Sequence, residues 1–351
     1  MHRFNIIAAA AAAVVMVSSA SGQSPAPSPP AYHVTKSVAL GAPDRWDYIV
    51  FDATSHRVYV SHGDRVTVVD GHDGTILGDV AGIPGGTHGI GISTATGKGY
   101  TDDGQAGVAV AFDLKTLKTG AHIKAESDAD GIAFDPTSGH IFVVDGDPGH
   151  LTVIDPKTDS VIATVDAGGK LEYAVSGNNE KLYVNGEAKA EIVRVDTATN
   201  KADAHWPIPG CTSPHGLAID MAAHRLFVSC LNAVLTVVNA DTGVVVATLP
   251  IGRGTDGAAF DPKRKLIFSS NNDGTLSVIQ EKDSQTFVSL GSIKTAVTGK
   301  NMGIDPDTGR LFIAVADVDP KAAVPPGPGG APGRPRPLPG TLKLLFLDPP
   351  S

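Results

Sequence analysis

Seven copies of a strand–turn–strand pattern constrain the fold of this 351-residue chain more than any other feature. One copy reads DGIAFDPTSGHIFVV from Asp130, with a turn of Asp, Pro, Ser and Gly between two apolar runs. The residues that close the first strand of each copy recur every 41 to 44 positions: Asp52, Ser93, Asp135, Ser176, Asp220, Asp261 and Asp305. A regular period of this length indicates a repeat architecture rather than a mixed fold with one hairpin.

All copies but the last continue with a third and a fourth strand, such as LTVIDP from Leu151 and SVIATV from Ser160. The chain's 40 glycines and 25 prolines provide the turns that so many short strands need. Four short strands in about 40 residues are typical of one propeller blade. The sequence therefore predicts an all-β fold, a seven-bladed β-propeller of four-stranded blades, over residues 32–348.

The two ends of the repeat region predict how the ring closes. The seventh copy lacks a fourth strand, while YHVTKSVALG from Tyr32 precedes the first copy and has the pattern of a fourth strand. We expect this N-terminal strand to complete blade seven. Residues 318–340 are rich in Pro and Gly, and we expect them to form a surface loop inserted in blade seven.

The N-terminal segment has the composition of an export signal. Arg3 precedes the apolar run IIAAAAAAVVMV from Ile6, and small residues follow from Ser18. Residues 1–22 are predicted to be a signal peptide and residues 23–31 a Pro-rich spacer. A membrane anchor is the alternative, but the run is shorter than the roughly 20 residues of a spanning helix. We predict a periplasmic or secreted protein without a stable membrane anchor.

Charge and cysteine content limit the partners further. A formal net charge of -9, without a basic run, argues against nucleic-acid binding, which depends on clustered Lys and Arg. The chain has two cysteines, Cys211 and Cys230, and we expect them to form a disulfide in an oxidising compartment. The expected partner is a small ligand or an envelope protein, bound by a monomer.

The repeated strand pair resembles a known family. GNNEKLYVNG from Gly177 and DATSHRVYVS from Asp52 are similar to the YVTN repeat of bacterial seven-bladed propellers, the YncE-like group. The resemblance covers 32–348 and implies the propeller fold. It implies no activity, because related propellers serve as surface proteins or as scaffolds in redox enzymes. Here Asp or His often precedes the glycine of the repeat, where the family has a small or neutral residue.

That departure defines the candidate site. The first strand of each propeller blade lines the central channel, so the side chains just before these strands should converge at one mouth. They are Asp47, His88, Asp130, Glu172, His215, Asp256 and Lys300. These residues form either a solvated polar mouth or a site for a small ligand or a divalent metal ion. Apart from such a metal ion, the sequence indicates no cofactor.

The sequence allows two arrangements of such a site. A cation could be held by one histidine with flanking acids, such as His88 with Asp47 and Asp130, or a larger ligand could span the mouth, with Lys300 as an anion contact on the rim. Trp46 could form a stacking wall there or pack between blades.

The sequence leaves three functional classes. The leading hypothesis is a non-catalytic binding or scaffold propeller, because the motifs GxxxxGK[ST], HExxH and GxSxG do not occur. The second is a metal-assisted lyase or hydrolase that uses the channel mouth. The third is a scaffold subunit of a periplasmic redox complex, whose redox centre would come from a partner because CxxCH is also missing.

Overall fold

The computed structural model describes residues 1, 28–322, 324 and 335–350. Over these residues the chain forms seven antiparallel sheets of four strands each, so the predicted propeller is confirmed. The predicted signal peptide and most of the spacer lie outside the described residues, as do residues 323 and 325–334 of the predicted surface loop. No described residue belongs to a helix that is long and apolar enough to cross a membrane.

Each blade is built from consecutive strands, except the last. Blade one contains β2 (Ile49–Asp52), β3 (Arg57–His62), β4 (Arg65–Asp70) and β5 (Ile76–Val80). Blade two contains β6 (Ile90–Ser93), β7 (Lys98–Asp103), β8 (Val108–Asp113) and β9 (Thr119–Lys124). Blade three contains β10 (Ala129–Asp135), β11 (His140–Asp145), β12 (His150–Asp155) and β13 (Ser160–Asp166).

The second half of the ring repeats this order. Blade four contains β14 (Leu171–Ser176), β15 (Lys181–Gly186), β16 (Glu191–Asp196) and β17 (Lys201–Pro207). Blade five contains β18 (Pro214–Asp220), β19 (Arg225–Cys230), β20 (Val234–Asn239) and β21 (Val245–Pro250). Blade six contains β22 (Thr255–Asp261), β23 (Leu266–Asn271), β24 (Thr275–Glu281) and β25 (Phe287–Lys294). Blade seven contains β26 (Met302–Ile304), β27 (Leu311–Val315), β28 (Lys343–Asp348) and the N-terminal strand β1 (His33–Ala39).

The N-terminal strand closes the ring, as predicted. β1 pairs with β28 from His33 opposite Asp348 to Ala39 opposite Lys343. Tyr32, just before β1, is 5% exposed and packs edge-on against Phe268 of blade six, with ring centroids 5.3 Å apart. Strand pairing and this aromatic contact therefore hold the chain's N-terminal strand in blade seven.

The hydrophobic core is divided among the spaces between neighbouring blades. The second strand of each blade contributes one aromatic side chain that is almost fully buried: Tyr59, Tyr100, Phe142, Tyr183, Phe227, Phe268 and Phe312. Each packs against side chains of the following blade, and Phe312 of blade seven packs against blade one. Burying an aromatic or large aliphatic side chain stabilises a fold by about 1.5–3 kcal/mol, so these contacts hold the ring together.

Candidate functional site

The first strands approach one another closely around the channel axis. A Cβ atom on Gly89 of blade two would lie 2.2 Å from the carbonyl oxygen of Asp130 in blade three. A Cβ atom on Gly216 of blade five would lie 2.6 Å from the backbone nitrogen of Ala258 in blade six. Only glycine fits at such distances. The glycine that follows the mouth residue in these copies is therefore required by the packing of the ring.

Blades one and four have tyrosine where these blades have glycine. The rings of Tyr48 and Tyr173 stack across the channel, with centroids 4.6 Å apart. The Tyr48 hydroxyl donates a hydrogen bond to Glu172 Oε1 at 3.1 Å. Burial raises the pKa of Tyr48 well above its ordinary value, and the Glu172 carboxylate raises it further, so the phenol keeps the proton that it donates. The two rings therefore meet inside the channel, next to the Glu172 carboxylate at the mouth.

Beyond these rings, the side chains that line the channel are mainly apolar. A cavity of about 260 Å³ lies among first-strand residues of blades one, four, five, six and seven, including Ile49, Val175, Leu217 and Phe260. A second cavity of about 20 Å³ lies beside Tyr48, Tyr173 and Asp256, directly under the mouth. The polar chemistry of the channel is therefore concentrated at the mouth.

A chain of ion pairs links the mouth residues of five consecutive blades. His215 Nδ1 lies 3.1 Å from Glu172 Oε1 and 3.1 Å from Asp256 Oδ1. Asp256 Oδ2 lies 2.6 Å from Lys300 Nζ, and Lys300 Nζ lies 3.7 Å from Asp47 Oδ1. We call these five residues the mouth network. Their side chains are between 7% and 22% exposed, so solvent screens their interactions only in part.

His215 is the central group of this network. Its ring is mostly buried, which by itself lowers the pKa, but the carboxylates of Asp256 and Glu172 outweigh burial and raise the pKa to about 10. The imidazole is therefore charged at neutral pH. The ligand atoms of Glu172, His215 and Asp256 all lie within 4.8 Å of one another, a grouping that could hold a metal ion.

Further contacts orient His215 through its Nε2 atom and its backbone carbonyl. Nε2 lies 3.4 Å from Ser213 Oγ and 3.8 Å from Glu187 Oε1. The Ser213 hydroxyl also donates to Glu187 Oε1 at 2.8 Å, and Lys170 Nζ lies 3.2 Å from Glu187 Oε2. Asn185 of blade four donates a hydrogen bond of 2.6 Å to the His215 carbonyl. Blade four thus fixes both the ring and the backbone of His215.

The disulfide lies beneath the same part of the site. Cys211 and Cys230 are bonded, with Cα atoms 5.5 Å apart, so the predicted pairing is confirmed. The Leu231 backbone N–H donates to the carbonyls of Thr212 and Ser213 at 3.0 and 3.2 Å. The covalent bond and these hydrogen bonds tie the loop before β18 to the end of β19, and so they fix the position of Ser213 behind His215.

Two predicted residues lie outside the chain of ion pairs. His88 Nδ1 lies 2.7 Å from Asp102 Oδ2 in its own blade, and Nε2 lies 2.9 Å from Arg45. Burial lowers the pKa of His88, but the hydrogen bond and charge of Asp102 raise it by more. Asp130 is half-buried, and within the described residues its Oδ1 has no hydrogen-bond partner. Burial, then the Glu172 and Asp47 carboxylates, raise the pKa of Asp130 well above its ordinary value.

Trp46 lies between blades one and seven. It is 8% exposed and packs among Ile49 of blade one and Leu342 and Phe346 of blade seven. This burial agrees with the packing between blades that the sequence left open beside a stacking wall. The ammonium group of Lys300 lies between two carboxylates of neighbouring blades, those of Asp47 and Asp256.

Several residues of the site were not singled out by the sequence. Tyr48 and Tyr173 stand where other copies have glycine. Aligning the copies with one another would have revealed these two tyrosines from the sequence. Asp102 is a fully buried carboxylate near the end of β7, next to a second buried carboxylate, Asp103. Glu187 and Ser213 lie in loops, and the repeated strand pattern does not predict where a loop side chain lies.

Comparison with known proteins agrees with the architecture of seven four-stranded blades. No protein-family model matches the chain. Over 172 residues the chain is 24% identical to the uncharacterized protein YncE of Salmonella typhimurium and 23% identical to that of Salmonella typhi. The chain is a β-propeller whose sequence is similar to YncE over this region. The aligned region is 47% of this chain and 47% of each relative, so the chain spans about half the length of the curated relatives it matches.

Solved structures are similar in fold alone. Hydrazine synthase of Kuenenia stuttgartiensis superposes with a TM-score of 0.67 at 13% identity, over 76% of this YncE-like chain and 91% of the other chain. A chain of the structure titled U3-55K gives a TM-score of 0.73 at 10% identity, over 88% and 97%. Identities this low show a shared propeller and carry no information about function.

Proposed function

We propose that this YncE-like propeller is an exported binding protein whose ligand occupies the channel mouth. The observation that carries the proposal is the mouth network, in which charged side chains of five consecutive blades meet beside the stacked rings of Tyr48 and Tyr173. Each side chain contacts a neighbour from the next blade, so the polar groups are oriented before a ligand arrives. Preorganisation of this kind lowers the entropic cost of binding.

The stacked rings of Tyr48 and Tyr173 favour a binding site over a passage, because they narrow the channel next to the mouth. A ligand that enters from the mouth therefore meets a polar floor, formed by the Tyr48 hydroxyl, Glu172 and Asp256. Recessed sites with a few convergent polar groups are where proteins commonly bind small ligands.

Export is the second part of the proposal. It is supported by the apolar run from Ile6, by the disulfide and by the similarity to YncE. We expect a mature protein that begins between about Ala20 and Ser24, in the periplasm or outside the cell. Mass spectrometry of protein purified from the envelope fraction measures the N-terminus. Protein that retains Met1 in the cytoplasmic fraction would contradict export.

The binding site can be tested without knowing the ligand. Purified protein is incubated with envelope extract, and retained small molecules and polypeptides are identified by mass spectrometry. The test variant is Glu172→Gln/Asp256→Asn, which removes two charges with little change of shape. The control is Lys263→Ala, because Lys263 pairs with Asp307 at 2.8 Å in exposed turns on the opposite face.

We expect wild type and the control variant to retain the same ligand, and the mouth variant to lose it. A retained small molecule fits a ligand-binding protein, whereas a retained polypeptide fits the scaffold form of the proposal. Equal retention by all three proteins would place the binding surface elsewhere and would contradict the proposal.

A further inference from the structure

We propose that Glu172, His215 and Asp256 bind one divalent transition-metal ion, through one imidazole nitrogen and two carboxylate oxygens. The inference rests on the proposed function, because it names the ligand chemistry of the same channel mouth. It also assigns the site to blades four, five and six.

The distances between the three residues suit an ion. Metal–ligand bonds of about 2.0–2.2 Å at tetrahedral or octahedral angles place neighbouring ligand atoms roughly 3.0–3.4 Å apart. His215 Nδ1 lies 3.1 Å from an oxygen of Glu172 and 3.1 Å from an oxygen of Asp256. Modest side-chain movement would bring all three donors around one ion, since all of them lie within 4.8 Å of one another.

The direction of the imidazole is the second observation. Nδ1 is buried and lies between two carboxylates, yet it makes no well-directed hydrogen bond with either. A single N–H group cannot point at two oxygens at once, whereas an ion placed between them contacts all three groups.

Each of the three residues also has a partner of the kind that orients metal ligands. Glu172 accepts a hydrogen bond from Tyr48, and the second oxygen of Asp256 lies 2.6 Å from Lys300 Nζ. The far nitrogen of His215 faces Ser213 and Glu187. A metal-bound histidine commonly directs its other nitrogen to a carboxylate or hydroxyl in this way.

The donor set selects the class of ion. One imidazole with two carboxylates suits Zn²⁺, Mn²⁺ or Fe²⁺, whereas Ca²⁺ takes six to eight oxygen ligands. The small cavity of about 20 Å³ beside Asp256 and Tyr48 has room for a water that would complete the coordination. We therefore choose Zn²⁺ as the probe, because it accepts four ligands from nitrogen and oxygen.

The test is calorimetric titration of tag-free protein with ZnCl₂ in a buffer that does not coordinate metals. The test variant is His215→Gln, and the matched control is His88→Gln, because His88 is the other histidine of the mouth and pairs with Asp102. We expect one Zn²⁺ per chain for wild type and His88→Gln. Binding by His215→Gln should be weaker by more than about 100-fold, and binding by Glu187→Gln by about 10- to 100-fold. Melting curves verify that each variant is folded.

Two results would overturn the inference: no zinc binding by the folded wild type at 100 µM ZnCl₂, or equal binding by wild type and His215→Gln. If zinc fails but the mouth variant still loses a ligand from envelope extract, only the metal inference is wrong. If zinc fails and extract ligands are retained equally by all variants, the proposed function is wrong as well.

Discussion

Replacing Cys211 and Cys230 by alanine should lower the free energy of unfolding by about 3 kcal/mol. The disulfide joins residues that are 19 positions apart, so it closes a short loop in the unfolded chain. In the chain-entropy relation, a loop of this length loses roughly 11 cal/mol/K of entropy, which is about 3 kcal/mol at 25 °C. Both cysteines are buried, at 7% and 0% exposure, so lost packing adds to this value.

Urea unfolding followed by circular dichroism measures this change. The double variant Cys211→Ala/Cys230→Ala is compared with oxidised wild type and with wild type that was unfolded and refolded in reductant. We expect the variant and the reduced protein to unfold at similar, lower urea concentrations. The reasoning would be refuted if the variant and oxidised wild type differed by less than about 0.5 kcal/mol with equal dependence on urea.

Three other predictions test the ring closure, the packing of the first strands and the burial of an acidic residue. Deleting residues 32–40 should make the protein aggregate, because β28 would become an unpaired edge; a soluble monomer with an unchanged melting temperature would contradict the ring closure. Gly216→Ala should cost about 1–3 kcal/mol in urea unfolding, while Gly120→Ala, whose Cβ would meet nothing closer than 3.6 Å, should be nearly neutral; equal effects would refute the close approach of the first strands. Burial raises the pKa of Asp145 to about 6, so the unfolded chain loses this proton first as pH rises from about 4 to about 6. Wild type should therefore lose up to about 3 kcal/mol relative to Asp145→Asn over that range, and a pH-independent difference between the two proteins would be the contrary result.

The fold could be predicted from the sequence because a repeat turns spacing along the chain into position around a ring. One turn pattern at a regular spacing, with four short strands per copy, was enough to place seven blades. The N-terminal strand was recognisable because blade seven lacked a fourth strand of its own. The export signal, the spacer and the bounds of the domain stay predictions.

The candidate site could be predicted only in part. The repeat identified which residues lie before the first strands, but it did not determine which neighbour each side chain contacts. His88 pairs with Asp102, a buried acid on the second strand of its own blade, while His215 in the equivalent position contacts acids of both adjacent blades. Such choices depend on which second-strand residue is charged, and that varies from copy to copy. For the same reason, the sequence alone favoured a cation at His88 as readily as one at His215.

The central claim is that the channel mouth is a binding site for a ligand held by residues of neighbouring blades. Crystals of the mature protein grown with Zn²⁺, with diffraction measured at the zinc absorption edge, test it most directly. We expect one strong anomalous peak about 2.0–2.2 Å from His215 Nδ1 and from oxygens of Glu172 and Asp256. A mouth without a peak, in which His215 stays 3.1 Å from both carboxylates as an ion pair, would contradict the metal site. If the mouth variant also retained every ligand of the wild type, the mouth network would be a structural closure of the channel.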